Sequence, residues 1–280
     1  MIFWFRFLSH WPLWALHAMG HAVGWLAWLL SPTYRRRFLA NTQTAGLSFW
    51  QVKGAIGQAG CMSTELPRLW LGKTPSVLWS EGSAARLDKA YSAGQGVLML
   101  TPHLGCFEVT AQKIAEEFSR TYGPLTVLFR PSRKAALDEV MQSSRARPGL
   151  ETAPTTLPGV RQMIKALRAG RSVGMLPDQV PPEGMGQWAP FFGKPAYTMT
   201  LAARLALQTG AQLVLVWGER LPWGQGYKVH TAVLDEALAE DVDGVVVQIN
   251  QAMERLILTR PDQYLWGYAR YKQPRQDSHA

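Results

Sequence analysis

Five short apolar runs, set between segments of helical periodicity, constrain this chain more than any other feature. Val97–Thr101, Leu125–Arg130, Val173–Pro177, Leu213–Gly218 and Tyr227–Ala232 each read as a buried strand. Ahead of the third run, Val160, Met163, Ile164 and Leu167 recur at helical spacing. Pro158 opens that segment and Gly170 follows its end, the positions where a helix starts and stops. Val245, Ile249, Met253 and Leu256 mark a later helix. Alternation of this kind predicts an α/β fold with a mixed, largely parallel central sheet flanked by helices. The 280 residues, 47% of them hydrophobic, suffice for such a core. Residues 38–80 read as helical with breaks at Pro67 and Pro75.

The N-terminus has a different character. Trp11 to Leu30 contains no Asp, Glu, Lys or Arg, and as a helix it would be ~30 Å long, the span of a bilayer core. Trp4, Trp11, Trp14, Trp25 and Trp28 cluster there, as aromatic side chains do at lipid–water boundaries. No acidic residue precedes Glu65, whereas Arg6, Arg35, Arg36, Arg37 and Lys53 do. The expected organisation is a membrane-anchoring helix with a basic flank over residues 1–37, followed by an α/β domain over 38–280. The triple Arg places the C-terminal side in the cytoplasm. Whether the helix crosses the bilayer or lies along it is left open.

The net charge of +9 favours an anionic partner, but no zinc-finger spacing or aromatic RNA-binding signature accompanies it, so nucleic acid is not expected. Cys61 and Cys106 make no disulfide framework and read as small buried side chains. There is no HExxH, no CxxC and no GxSxG, so neither a metal centre nor a serine-hydrolase elbow is expected.

The polar residues of interest follow the strands. The first run leads into Thr101-Pro102-His103, the second ends at Arg130-Pro131, and the third leads into Pro177-Asp178-Gln179. In open α/β sheets, sites form beyond the carboxyl ends of strands, so His103, Arg130 and Asp178 are expected on one edge. In TPHLGCFEVT, a loop bearing His103, a turn at Gly105 and a helix starting near Glu108 would let imidazole and carboxylate face each other. Glu108 would then fix the tautomer of a His103 general base, the arrangement that activates a hydroxyl nucleophile. A loop-capping His and a decorative Glu are the alternative.

TPHLGCFE, LFRPSR, GMLPDQ with PFFGKPAYT, and RPDQYLWGYARYK together resemble the bacterial lipid A biosynthesis acyltransferases (the lauroyl/myristoyl late acyltransferases). These lie within the lysophospholipid and glycerol-phosphate acyltransferase superfamily, and the resemblance runs over nearly the whole chain. It implies that His103 is the catalytic base and Glu108 its acidic partner. It implies substrate-binding roles for Arg130 and Asp178. Arg133 is a further candidate, although it departs from the family's pattern. Phe191 and Phe192 would either line an acyl groove or form a packed turn. The implied reaction is transfer of a fatty acyl chain from acyl carrier protein to a hydroxyl of a lipid A precursor, an anionic glycolipid. It would occur at the cytoplasmic side of the inner membrane, with no acyl-enzyme and no cofactor. Arg161, Lys165 and Arg168 form either a docking stripe for the acidic carrier protein or a solvated helix face. Two other readings stand beside this one. One is acylation of a lysophospholipid or aminolipid, from acyl-CoA. The other is a non-catalytic protein that binds lipid or carrier protein.

Overall fold

A computed structural model of the chain describes residues 2–129, 147–234 and 236–276. A seven-stranded sheet runs in the order β1 (Val77–Trp79), β9 (Tyr227–Val233), β8 (Gln212–Arg220), β2 (Val97–Leu100), β5 (Ser172–Met175), β3 (Leu125–Phe129), β4 (Leu150–Pro154). Neighbours are parallel except β8 and β9, which form an antiparallel pair. All five expected strands are present. The sheet also gains β1 and the edge strand β4, whose Glu151 and Pro154 disguise it as a loop.

Strand alternation divides the core. Val97 and Met99 point to one face, where Leu87, Ala90 and Tyr91 of α7 (Ser83–Ser92) and Ile114 and Phe118 of α8 (Phe107–Tyr122) cover them. Leu98 and Leu100 point to the other. There they meet Met163 and Leu167 of α9 (Leu157–Arg168), Leu205 of α10 (Leu201–Thr209) and Ile249 and Met253 of α11 (Val242–Thr259). Each Val, Leu, Ile, Phe or Met side chain among these contributes ~1.5–3 kcal/mol when fully buried. A two-stranded hairpin, β6 (Gly186–Phe191) with β7 (Lys194–Met199), stands apart from the sheet. Phe192 and Gly193 both take positive φ at its tip, the conformation a tight two-residue turn requires.

Six helices precede the sheet: α1 (Ile2–Ser9), α2 (Leu13–Leu30), α3 (Pro32–Thr44), α4 (Phe49–Val52), α5 (Gly54–Thr64) and α6 (Leu66–Leu71). The boundary expected after residue 37 falls inside α3, and the N-terminal helices are packed onto the rest of the chain. Helices α2 and α5 meet backbone to backbone. A Cβ on Gly60 would fall on the Gly20 carbonyl oxygen, and one on Gly24 on that of Ile56.

The same contact region contains a buried ion pair. Arg220, at the end of β8, donates from Nε to Glu65 Oε2 at 2.8 Å and from Nη2 to Oε1 at 2.6 Å. Tyr227 of β9 donates to Glu65 Oε2 at 2.9 Å, and the His17 ring of α2 lies 3.3 Å from the same oxygen. Burial alone would push the Glu65 carboxyl up. The Arg220 guanidinium outweighs burial and, with His17, holds it down at about 2. The stabilisation is therefore present above the ordinary carboxylate value and is lost as pH falls toward 2. Glu65→Gln leaves the guanidinium buried without a counter-charge, and a loss of about 3–5 kcal/mol is expected. Urea unfolding at neutral pH checks this, and the difference between wild type and variant should shrink as the medium is acidified below pH ~4.

Candidate active site

The site is built where two neighbouring parallel strands end. Leu100 of β2 sits in register with Met175 of β5, and the Thr101 N–H donates to the Met175 carbonyl at 3.1 Å. The chains that follow, Thr101–Cys106 and Leu176–Gln179, therefore leave the sheet side by side. The first doubles back at Gly105, whose φ is +59°. A side chain there would strike the Gly218 carbonyl of β8, to which Cys106 N–H donates at 2.7 Å. The loop is closed from the other side by residues near the C-terminus. Leu265 N–H donates to His103 O at 3.1 Å and Gly105 N–H to Gln263 O at 3.0 Å. Gln263 in turn exchanges hydrogen bonds of 2.9 and 3.0 Å with the Arg220 backbone.

Within this frame Asp178 holds His103 at two points. Its Oδ2 accepts from the His103 backbone N–H at 2.9 Å, and its Oδ1 lies 2.7 Å from the imidazole Nδ1. Asp178 is 3% exposed. Burial pushes its carboxyl up, but the facing His103 and the hydrogen bonds from it, with Arg270 behind, outweigh this and lower it. The phenol of Tyr264 lies against Asp178, and burial, with that charge added, drives it well above its ordinary value. Arg270 is itself buried, donating to Tyr197 O at 2.7 Å and Thr198 Oγ1 at 2.6 Å. The other imidazole nitrogen, Nε2, faces the Gln179 side-chain nitrogen at 3.0 Å.

The carboxylate that engages His103 is thus Asp178, and the expected pairing with Glu108 is corrected. Glu108 does occupy the first turn of α8. There its Oε2 accepts from Trp70 Nε1 at 3.4 Å. Parallel adjacency of β2 and β5 sets the Asp178 pairing, and the helical turn at α8 directs Glu108 to the side of the loop that faces Trp70. Glu108 also lines a cavity of ≈ 80 Å³ between α8 and the sheet. The rest of that lining is largely apolar, including Met99, Ile114, Leu125, Val127, Gly174 and Val216. Phe107 joins the cavity to the imidazole: it lines the one and meets the His103 ring edge-on at 5.4 Å.

Phe191 and Phe192 lie elsewhere, at the β6–β7 turn. Phe191 is buried against Arg270, and Phe192 N–H donates to Glu254 at 2.7 Å. They form the packed turn rather than lining the α8 cavity. Arg130 and Arg133 lie outside the described residues. Cys106 is buried at the start of α8, its thiol pushed well up by burial, and Cys61 is pushed up to about 12 for the same reason. Sequence reasoning missed Gln179 as an imidazole contact, although it stands next to Asp178. It also missed Tyr264, Arg270, Glu65 and Arg220, each distant in sequence from what it touches.

The chain is 26% identical over 216 residues to the lipid A biosynthesis lauroyltransferase of Escherichia coli K12, a match covering 76% of this chain and 68% of that one. It is 24% identical to the lipid A biosynthesis palmitoleoyltransferase of the same organism, over 66% of this chain and 59% of the relative. A lipid A biosynthesis acyltransferase of Haemophilus influenzae is 23% identical, with 92% and 84% covered. Residues 80–273, more than half of the sequence and all of the frame around His103, match one family model, and the chain belongs to the bacterial lipid A biosynthesis acyltransferases.

Proposed function

We propose that this protein transfers a fatty acyl chain from acyl carrier protein to a hydroxyl of a lipid A precursor, at the cytoplasmic face of the inner membrane, with His103 as general base. Membership of the acyltransferase family supports the reaction class. The observation that carries the mechanism is the two-point hold of Asp178 on His103. With Nδ1–H donated to Asp178, the Nε2 lone pair is the basic one. It takes the proton of the acceptor hydroxyl as that oxygen attacks the thioester carbonyl. The tetrahedral oxyanion collapses, the C–S bond breaks, and the imidazolium returns its proton to the leaving thiolate. Asp178 stabilises the transient imidazolium. The Gln179 amide, beside Nε2, is placed to donate to an incoming oxygen. No metal, cofactor or acyl-enzyme is required by this sequence of steps.

The α8 cavity is assigned to part of the acyl chain, because it is largely apolar and joined to His103 through Phe107, and its ≈ 80 Å³ leaves the rest of the chain outside it. Glu108 borders it, retaining a catalytic part distinct from orienting the imidazole. The carrier protein is assigned to α9, whose Arg161, Lys165 and Arg168 are all exposed. Their positive charge suits an acidic partner.

In an assay with purified protein, His103→Ala should abolish turnover. Asp178→Asn should lower kcat by about 10²-fold or more with KM little changed. Near-normal turnover in Asp178→Asn alongside an inactive Glu108→Gln would return the orienting role to Glu108. The same assay across carrier-protein and coenzyme A thioesters, with lipid A precursor or lysophospholipid as acceptor, tests donor and acceptor. Preference for acyl-CoA and lysophospholipid would overturn the proposed pair.

Gly174 gives a second test. A Cβ there would lie 3.6 Å from Val127 and 3.7 Å from Leu125, ordinary contacts on the cavity lining. Gly174→Val should fold normally and shift donor preference toward shorter chains, by roughly tenfold or more against the longest accepted chain. An unchanged chain-length profile would place the acyl chain elsewhere.

A further inference from the structure

Helix α2 is long and apolar enough to cross a bilayer, yet both of its ends are fastened to the same folded body. At its start Leu13, Leu16 and His17 are buried, and His17 reaches Glu65 and Tyr227 of the sheet domain. Just before it, α1 is docked as well: Phe5 stacks on Trp70 at 6.0 Å and Arg68 donates to Ser9 O at 3.3 Å. At the far end the Trp28 ring packs on Phe38 at 5.0 Å and on Phe49 at 5.7 Å. A crossing helix places its ends on opposite sides of ~30 Å of hydrocarbon. Here that would pull α5, the Glu65–Arg220 pair and part of the sheet domain into the hydrocarbon with it.

The other side of α2 is bare. Trp14, Trp25, Leu26, Leu29 and Leu30 are exposed along it. The exposed apolar surface also includes Phe3 and Trp4 of α1 and Trp50 of α4, which is 74% exposed. It also takes in a side chain from the sheet domain. Trp223, in the turn between β8 and β9, is 88% exposed and held at φ 57°, a left-handed backbone that bulky residues rarely adopt. Its neighbour Gly224 sits so close to α2 that a Cβ there would meet the Trp14 backbone. Arg6 of α1, Arg36 and Arg37 of α3 and Lys53 at the end of α4 are exposed, and no acidic residue precedes Glu65 in the chain. Aromatic and apolar side chains rimmed by cations match the chemistry of an anionic lipid interface.

We propose that this face seats the protein in the plane of an anionic bilayer. Helix α2 lies along the interface without crossing it, α1 and α3 stay on the same side, and Trp223 serves as a second anchor supplied by the β8–β9 turn. The inference rests on the membrane attachment proposed above and specifies its geometry.

His10→Cys and Gln43→Cys flank α2 at exposed positions, and the native Cys61 and Cys106 are buried. Each variant of the full chain would be treated with a membrane-impermeant maleimide in spheroplasts and in inverted inner-membrane vesicles. Reaction of both only in inverted vesicles is expected. Reaction of the two from opposite sides overturns the in-plane geometry and leaves attachment standing. In a second arm, the purified chain is titrated with phosphatidylglycerol–phosphatidylethanolamine vesicles. Trp223→Ser should bind roughly tenfold more weakly, and Met185→Ser, at an exposed apolar position on the hairpin side, should bind like wild type. Equal binding by Trp223→Ser removes the second anchor, and no vesicle binding by wild type overturns attachment itself. Lipid-free self-association that shields Trp50 and Trp223 from an aqueous quencher would assign the face to a second copy instead.

Discussion

The Glu65–Arg220 pair is the point through which the separate parts of this molecule hold one another. Two charges taken out of water are costly unless each is the other's partner and the remaining polar atoms are satisfied. Here the carboxylate receives Arg220 twice, Tyr227 once and is approached by His17. The guanidinium spends its remaining reach on Gln58 at 3.2 Å. The Arg220 backbone then grips Gln263, and Gln263 grips the loop that carries His103. The position of the N-terminal helices is therefore linked to the position of His103 through a short run of buried contacts.

The parts legible in the sequence are those whose signal is local. β2, β3, β5, β8 and β9 announce themselves because strands buried on both faces are unbroken runs of apolar residues. The helices α9 and α11 are equally plain from their spacing. β4 was hidden because an edge strand tolerates Glu151 and Pro154, and the β6–β7 hairpin because its prolines look like loop. His103, Asp178 and Glu108 could be picked out by the strands and helix they adjoin. Their pairing could not, because sequence distance favours the near Glu108 over Asp178, while strand order sets Asp178 beside the imidazole. Glu65 and Arg220 are 155 positions apart, and nothing local marks either as a partner of the other.

The charge-free stretch from Trp11 to Leu30 shows the same limit. Hydropathy registers that a helix avoids water, but not on how many sides. Gly20 and Gly24 carry the missing information, since small residues at that spacing let another backbone approach. The partner, α5, lies beyond two intervening helices and carries glycines of its own at Gly57 and Gly60. The QYLW block has a comparable role at the site. It contributes no group to the imidazole, yet its backbone sets where the His103 loop stops.

The two-point hold of Asp178 has a further consequence. A histidine tethered at both its amide and its ring has almost no rotational freedom left to lose when reactants arrive, so little ordering entropy remains to be spent at that residue. The same rigidity fixes the free nitrogen opposite the Gln179 amide. In the resting molecule that nitrogen already has a donor at hand, and any incoming hydroxyl, from water or from a larger molecule, must displace the donor to reach it.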